Sequence, residues 1–247
     1  MSNTISLKIG EWMYQNIYGI YKPLYFLYKK RTEKFEIDLI KKIVRPGDVV
    51  LDIGANIGFY TMIFSEAVKE KGKVFAFEPD PKNFHRLKNN TQYLGNVIVE
   101  NKAISHQTQT IKLYSSELNV DYRTYAHPDS QNYTEVQAVS LDDYLREKNI
   151  TCVDFIKMDI QGYESFALQG MIETIKKNKH IKILSEFWPY GLQQSGKSAI
   201  TYYQQLSEYF SNIFLLQNHQ LKKILPDEIQ HLKNSPQHYY NIFAYND

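Results

Sequence analysis

The stretch Val49–Tyr60 reads VVLDIGANIGFY: an apolar run that stops at Asp52 and passes through Gly54 and Gly58 into a helical pattern. A short apolar run that ends on an acid and then takes two glycines predicts a buried strand followed by a tight turn into a helix. Glycine reaches positive φ and lets other groups approach the backbone closely. The helix is expected to begin near Asn56 and to offer its first N–H groups at the mouth of the turn. A chain built on such a unit is an α/β protein, with whatever it binds lying beyond the carboxyl ends of its strands.

The spacing narrows the ligand. A dinucleotide site uses G-x-G-x-x-G, which lays a pyrophosphate on the helix N-terminus. Here the spacing is G-x-x-x-G, with Asp52 in front of the first glycine. An acid there repels a pyrophosphate and suits a ligand that joins an ammonium or sulfonium group to a ribose, which describes S-adenosylmethionine. From this motif alone, a turn whose glycines serve packing reads the same way. The next strand, Lys73–Glu78, also ends on an acid, 20 residues after Gly58, and runs into Pro79-Asp80-Pro81. A carboxylate at the end of the second strand of a βαβ unit is placed to accept hydrogen bonds from ribose hydroxyls. Proline suits the first turn of the following helix, and Asp80 suits its cap.

Four stretches together resemble the FkbM-type S-adenosylmethionine-dependent methyltransferases. They are VVLDIGANIGFYT (Val49–Thr61), FAFEPDP (Phe75–Pro81), SLDDYL (Ser140–Leu145) and VDFIKMDIQGYE (Val153–Glu164), spread over roughly residues 40 to 190. The first two recur in many class I methyltransferases and the last two are more specific. The chain departs from the family's usual pattern at Gln161, where an acid is usual. The resemblance implies a class I, Rossmann-like fold: a mostly parallel seven-stranded sheet with a reversed last strand, a β-hairpin insertion and an N-terminal helical cap. It divides the chain into a cap over residues 1–46 and a methyltransferase domain over residues 47–247. It implies S-adenosylmethionine as cofactor, held by Asp52, Gly54, Asn56, Gly58, Glu78 and Pro79, with Ala103 in the segment that meets the adenine. It also implies O-methylation of a sugar, glycan or other small natural product.

The chain of 247 residues, 43% of them hydrophobic, is long enough to bury a full core. Its net charge of +2 gives no global field for nucleic acid. Cys152 stands alone, and no stretch approaches a spanning helix or a secretory leader. These features suggest a cytoplasmic chain with no membrane span and no nucleic-acid partner; the oligomeric state is left open. Residues 1 to 46 are dense in aromatic and basic side chains, including Trp12, Tyr21, Tyr25, Tyr28, Lys29 and Arg31. They read either as a cap packed on the core or as a roof over the acceptor pocket.

Thr110–Tyr114 and Thr134–Val139 alternate as an antiparallel pair does. The polar tip between them carries Asp121, Tyr122, Arg123, Tyr125, His127 and Pro128, and reads as a lid or as a plain loop. Ser140 is the expected cap of a short helix. Further on, Val153–Met158 is a buried strand ending at Asp159, and Ile181–Leu184 is another, followed by Ser185-Glu186. Asp159, Glu164 and Glu186 are therefore the acids available for proton chemistry at the acceptor.

Gly191–Ser198 fits G-x-x-x-x-G-K-[ST] letter for letter, yet Pro189 and neighbouring residues separate it from the strand it should follow. It is expected to be an ordinary loop. The scattered histidines offer no zinc pattern, and a metal is not expected. No G-x-S-x-G points to a hydrolase. Two other readings stay open: an RNA ribose O-methyltransferase, and a non-catalytic Rossmann-like binding module.

Overall fold

The computed structural model describes residues 2–115, 122–123 and 132–247. Three helices come first: α1 (Ser2–Asn16), α2 (Tyr18–Thr32) and α3 (Lys34–Ile43). The βαβ core follows as β1 (Val49–Ile53), α4 (Phe59–Val68), β2 (Lys73–Phe77), α5 (Pro81–Thr91) and β3 (Val97–Glu100). Then come β4 (Ala103–Ile104), β5 (Gln109–Ser115), β6 (Tyr122–Arg123), β7 (Tyr133–Val139) and α6 (Leu141–Glu147). The chain returns through β8 (Phe155–Met158), α7 (Glu164–Gln169), α8 (Ile172–Lys177), β9 (Lys182–Phe187), α9 (Pro189–Gln194) and α10 (Ala199–Ser207). It closes with β10 (Asn212–Gln217), β11 (Gln220–Lys223), α11 (Pro226–Ile229) and β12 (Tyr240–Tyr245).

The main sheet has the order β11-β10-β12-β9-β8-β1-β2-β3. Strands β9, β8, β1, β2 and β3 are parallel, and β12 runs antiparallel to both β9 and β10. The reversed last strand is as expected. The sheet has eight strands rather than seven, because β11 adds a hairpin partner to β10. All four residues of β11 are exposed, so no apolar alternation marked it. The order turns back between β1 and β8, which places the switch point of the sheet at the ends of those two strands.

Alternation along the strands explains the two-sided core. Val50, Val74 and Phe155 point toward α3 and α4, where they meet Ile40, Phe64 and Val68. Leu51, Ile156 and Ile183 point to the other face, against Leu168, Ile175 and Tyr202. Successive residues of a strand face opposite sides, so a sheet covered on both faces needs apolar residues at every step.

The insertion forms a second sheet, β4-β7-β5-β6, in which β5 and β7 make the expected antiparallel pair. Ala103 and Ile104 join it by pairing in parallel with Ala138 and Val139. Of the polar tip, Asp121, Tyr125, His127 and Pro128 lie outside the described residues. Ser140 caps α6 as expected, its Oγ accepting from the Asp143 N–H at 3.1 Å.

The N-terminal helices are pinned by polar contacts as well as by rings. The Tyr14 hydroxyl donates to Asn83 Oδ1, and Arg86 Nη2 donates to the Tyr14 carbonyl at 2.6 Å. The Arg86 guanidinium lies 3.5 Å from the centre of the Tyr14 ring. A guanidinium stacked on a buried ring is a strong anchor. Of the motif Gly191–Ser198, the first half, Gly191–Gln194, lies inside α9, and the second half is a turn and loop. A side chain at Gly191 would strike the Trp188 ring at 2.1 Å, so this glycine is explained by packing.

Candidate active site

A cavity of about 950 Å³ opens at the carboxyl ends of β1, β2, β8 and β9. Six of the seven residues expected at the cofactor line it or its floor: Asp52, Gly54, Asn56, Glu78, Pro79 and Ala103. Gly58 does not line it. Gly58 caps α4 with φ of 93°, and a methyl group there would press on Leu87 at 2.9 Å. Its glycine serves the packing of α4 on α5.

At the β1–β2 end the acids are buried. Asp52 is fully buried; its Oδ2 accepts from Thr61 Oγ1 at 2.6 Å, while Oδ1 has no hydrogen-bond partner. Burial pushes its carboxyl upward, against the opposing pull of Lys157 and the Thr61 hydroxyl. Glu78 is also buried. Its Oε2 accepts the Asn56 N–H at 2.8 Å and its Oε1 the Asp80 N–H at 3.0 Å. Burial raises this carboxyl to about 8, although the two N–H groups favour its charged form.

The expected helix start is corrected here. α4 begins at Phe59, and Asn56 sits in the left-handed region at φ 51°, with its N–H committed to Glu78 and its side-chain oxygen taking the Ile57 N–H. Asparagine tolerates that conformation better than most residues. The turn therefore uses Asn56 to orient Glu78 rather than to open a helix N-terminus.

Gly54 joins the two ends of the cavity. Its φ is 82°, and a methyl group on it would lie 2.0 Å from the Asp159 carbonyl oxygen. The glycine is required because β1 passes against the backbone that follows β8. A substituent at Gly54 strikes protein before it reaches any ligand.

At the β8–β9 end two acids share one amide. Gln161 Nε2 stands 3.3 Å from Asp159 Oδ1 and 3.3 Å from Glu186 Oε2. Lys157 Nζ lies 3.3 Å from Asp159 Oδ2 and 4.4 Å from the centre of the Tyr60 ring. Burial raises the Asp159 carboxyl, but Lys157 and Lys29 outweigh it and hold the group below its ordinary range. Glu186 goes the other way: burial, then the charges of Asp159 and Glu164, push it well above. The two carboxyls of the wall are thus pushed in opposite directions, Asp159 toward its charged form and Glu186 toward its protonated form.

Glu164 has a different place. It is fully buried, outside the lining, and its Oε1 accepts the Ile160 N–H at 3.0 Å. Burial raises it to about 7. Its position braces the turn between β8 and α7.

Some lining residues, among them Lys157, Gln161 and Trp188, were not singled out from the sequence as part of the site, whereas Tyr25, Tyr28 and Lys29 belong to the segment read as a cap or a roof. Lys157 precedes Asp159 by two positions, the spacing that puts both on one side of an extended chain, and that was its only local signal. Gln161 was noticed only as a departure from a pattern; it occupies a left-handed position at φ 56°. Leu24, Tyr25, Tyr28 and Lys29 of α2 roof the cavity, so this segment is both a packed cap and a roof. Trp188, with the Arg123 guanidinium 5.0 Å from its ring centre, closes another side. Among the described residues no cluster of His, Cys, Asp or Glu could hold a metal ion.

A family model described as the methyltransferase FkbM domain matches residues 52–222. The chain is 29% identical over 179 residues to the 2-O-methyltransferase NoeI of Sinorhizobium fredii, covering 66% of this chain and 71% of that protein. It is 29% identical over 147 residues to the hexuronic acid methyltransferase AglP of Haloferax volcanii, covering 59% of each. The chain therefore spans less than two thirds of the length of the second of these relatives. In fold it is similar to a putative rRNA-methylase from Clostridium thermocellum, with a TM-score of 0.51 at 15% identity over 85% of this chain and 92% of that one.

Asp52, in the cavity lining at the end of β1, keeps one buried carboxyl oxygen without a partner, an acceptor that suits a ligand ammonium group, and Glu78 at the end of β2 has lone pairs left for hydroxyls. With the family model spanning well over half of the sequence, the chain belongs to the FkbM methyltransferase family and is an S-adenosylmethionine-dependent methyltransferase.

Proposed function

We propose that this chain methylates a hydroxyl oxygen of a sugar, glycan or similar small natural product, with Asp159 as general base. The observation that carries the base assignment is the lysine beside one acid only: Lys157 Nζ is 3.3 Å from Asp159 Oδ2, on the cavity wall. A base must be unprotonated at working pH, and a cation at this distance keeps it so. The acceptor reading is supported by the two relatives, one named for 2-O-methylation and the other for a hexuronic acid.

The cofactor, when bound, supplies a methyl group on a positively charged sulfur. Asp52 would hold its ammonium group, and Glu78 its ribose, with Asn56 and Pro79 beside Glu78 and Ala103 under the adenine. The chain's own work is then positioning and proton removal. Asp159 takes the proton from the acceptor hydroxyl, which is a poor nucleophile until that proton begins to leave. Glu186, whose surroundings favour its protonated form, orients the acceptor by hydrogen bonding. Gln161 holds both carboxyls in place, and Glu164 keeps the turn beneath them.

Transfer of a labelled methyl group from S-adenosylmethionine to a panel of neutral sugars, uronic acids and RNA tests the reading. Transfer to a sugar oxygen is expected, and Asp159→Asn should lower it by at least about 100-fold. Glu186→Gln should chiefly raise the apparent KM for the acceptor. Transfer to RNA and to no sugar would overturn the acceptor class. A fully active Asp159→Asn beside an inactive Glu186→Gln would reverse the two roles.

A further inference from the structure

We propose that the outer face of α1 and α2 docks on the surface of an anionic lipid bilayer. On α2, Ile20, Leu24, Leu27 and Tyr28 fall at the spacing of one helical stripe, and α1 adds Ile9 and Trp12. All six side chains are between 53% and 62% exposed. The other side of α2 is apolar too: Tyr21, Tyr25 and Phe26 pack with Tyr14, Ile57 and Phe59. A contiguous exposed apolar stripe on a helix whose opposite side is already packed marks an interaction surface, so the outward stripe calls for an occupant.

Charge selects which. Residues 2–34 hold six of the Lys and Arg side chains and two Glu, in a chain whose net charge is only +2. Lys8, Lys30, Arg31 and Lys34 are exposed around the stripe. A second copy packed on this face would bring like charges together, which is costly. Anionic lipid headgroups complement the basic rim while Leu and Ile enter the acyl boundary. Trp12 and Tyr28 are the side-chain types that settle at that boundary. Among the described residues no helix is long and apolar enough to cross the bilayer, so the helices would lie along it. Ile9, Leu24 and Tyr28 also line the cavity, so docking would set its mouth at the lipid surface.

Flotation of the full chain tests this, using phosphatidylcholine vesicles with and without about one third phosphatidylglycerol. The chain should float with the anionic vesicles and at least about tenfold less with pure phosphatidylcholine. Ile20→Glu/Leu27→Glu alters two exposed positions away from the cavity lining, so its thermal unfolding and S-adenosylmethionine binding should match the parent. It should lose at least about tenfold in flotation, as should Lys30→Glu/Arg31→Glu. No flotation of the parent chain, or equal flotation of a normally folded Ile20→Glu/Leu27→Glu, would overturn the proposal. So would a dimer in sedimentation velocity that this variant dissociates, with no vesicle binding by the parent.

Discussion

Lys157→Met isolates the electrostatics of the acid pair. Methionine keeps the length of the side chain against the Tyr60 ring and removes the charge. At 3.3 Å and an effective dielectric of about 20, the pair interaction is on the order of 5 kcal/mol. Asp159 is 35% exposed, and Lys29 remains nearby, so solvent and the second cation reduce the loss to about 1.5–3 kcal/mol. Each 1.36 kcal/mol is about one pKa unit, so the Asp159 midpoint should rise by about 1–2 units. A ¹³C-detected titration of the side-chain carboxyls reads this directly, with Asp159→Asn identifying the resonance. The same variant should shift the acidic limb of the pH–rate profile upward by a similar amount, because the base is then protonated over a wider range. An Asp159 midpoint that stays within about 0.3 unit of the parent would refute the reasoning, since a lysine at this distance must be felt.

Gly54→Ala should destabilise the chain by at least about 3 kcal/mol, because the methyl group would sit 2.0 Å from the Asp159 carbonyl oxygen at a positive φ. In a domain of this size that is a fall in Tm of about 6–12 °C, measured by differential scanning calorimetry. Unfolding should also depend on pH in a stated direction. Glu78 and Glu164 have folded-state values raised to about 8 and about 7, so between their ordinary range and those values the folded chain binds more protons than the unfolded one. Stability of the ligand-free chain should therefore fall as pH rises from about 5 to about 8, and Glu78→Gln should flatten part of that slope.

The strand-end acids were legible because a buried parallel strand and its turn have strong local signatures. Asp52, Glu78, Asp159 and Glu186 all stand where the apolar runs stop, and four of those runs are neighbours in the sheet. What the sequence hid depends on contacts between distant segments. The reason for Gly54 is a carbonyl at Asp159, which no local pattern encodes. Strand β11 is polar and exposed, so periodicity is silent there. The helix start slipped from Asn56 to Phe59 because Asn56 gives its N–H to Glu78, a side chain 22 residues away. Lys157 looked like a strand lysine until its neighbours were in place, where it proves to be buried and paired with Asp159.

The central claim is that the cavity has two ends, a cofactor end at β1–β2 and a proton-handling end at β8–β9. Calorimetric titration of S-adenosylmethionine into Glu78→Ala and Asp159→Asn tests it without any acceptor. In a buffer above about pH 8, where the Glu78 carboxyl is charged, losing its charge-assisted hydrogen bonds, worth about 1.5–3 kcal/mol, should weaken binding by on the order of 10- to 100-fold. Asp159→Asn should bind within about twofold of the parent, because the proposed role of its carboxyl is toward the acceptor and not the cofactor. The reverse pattern, with Glu78→Ala unaffected and Asp159→Asn unable to bind, would contradict the account.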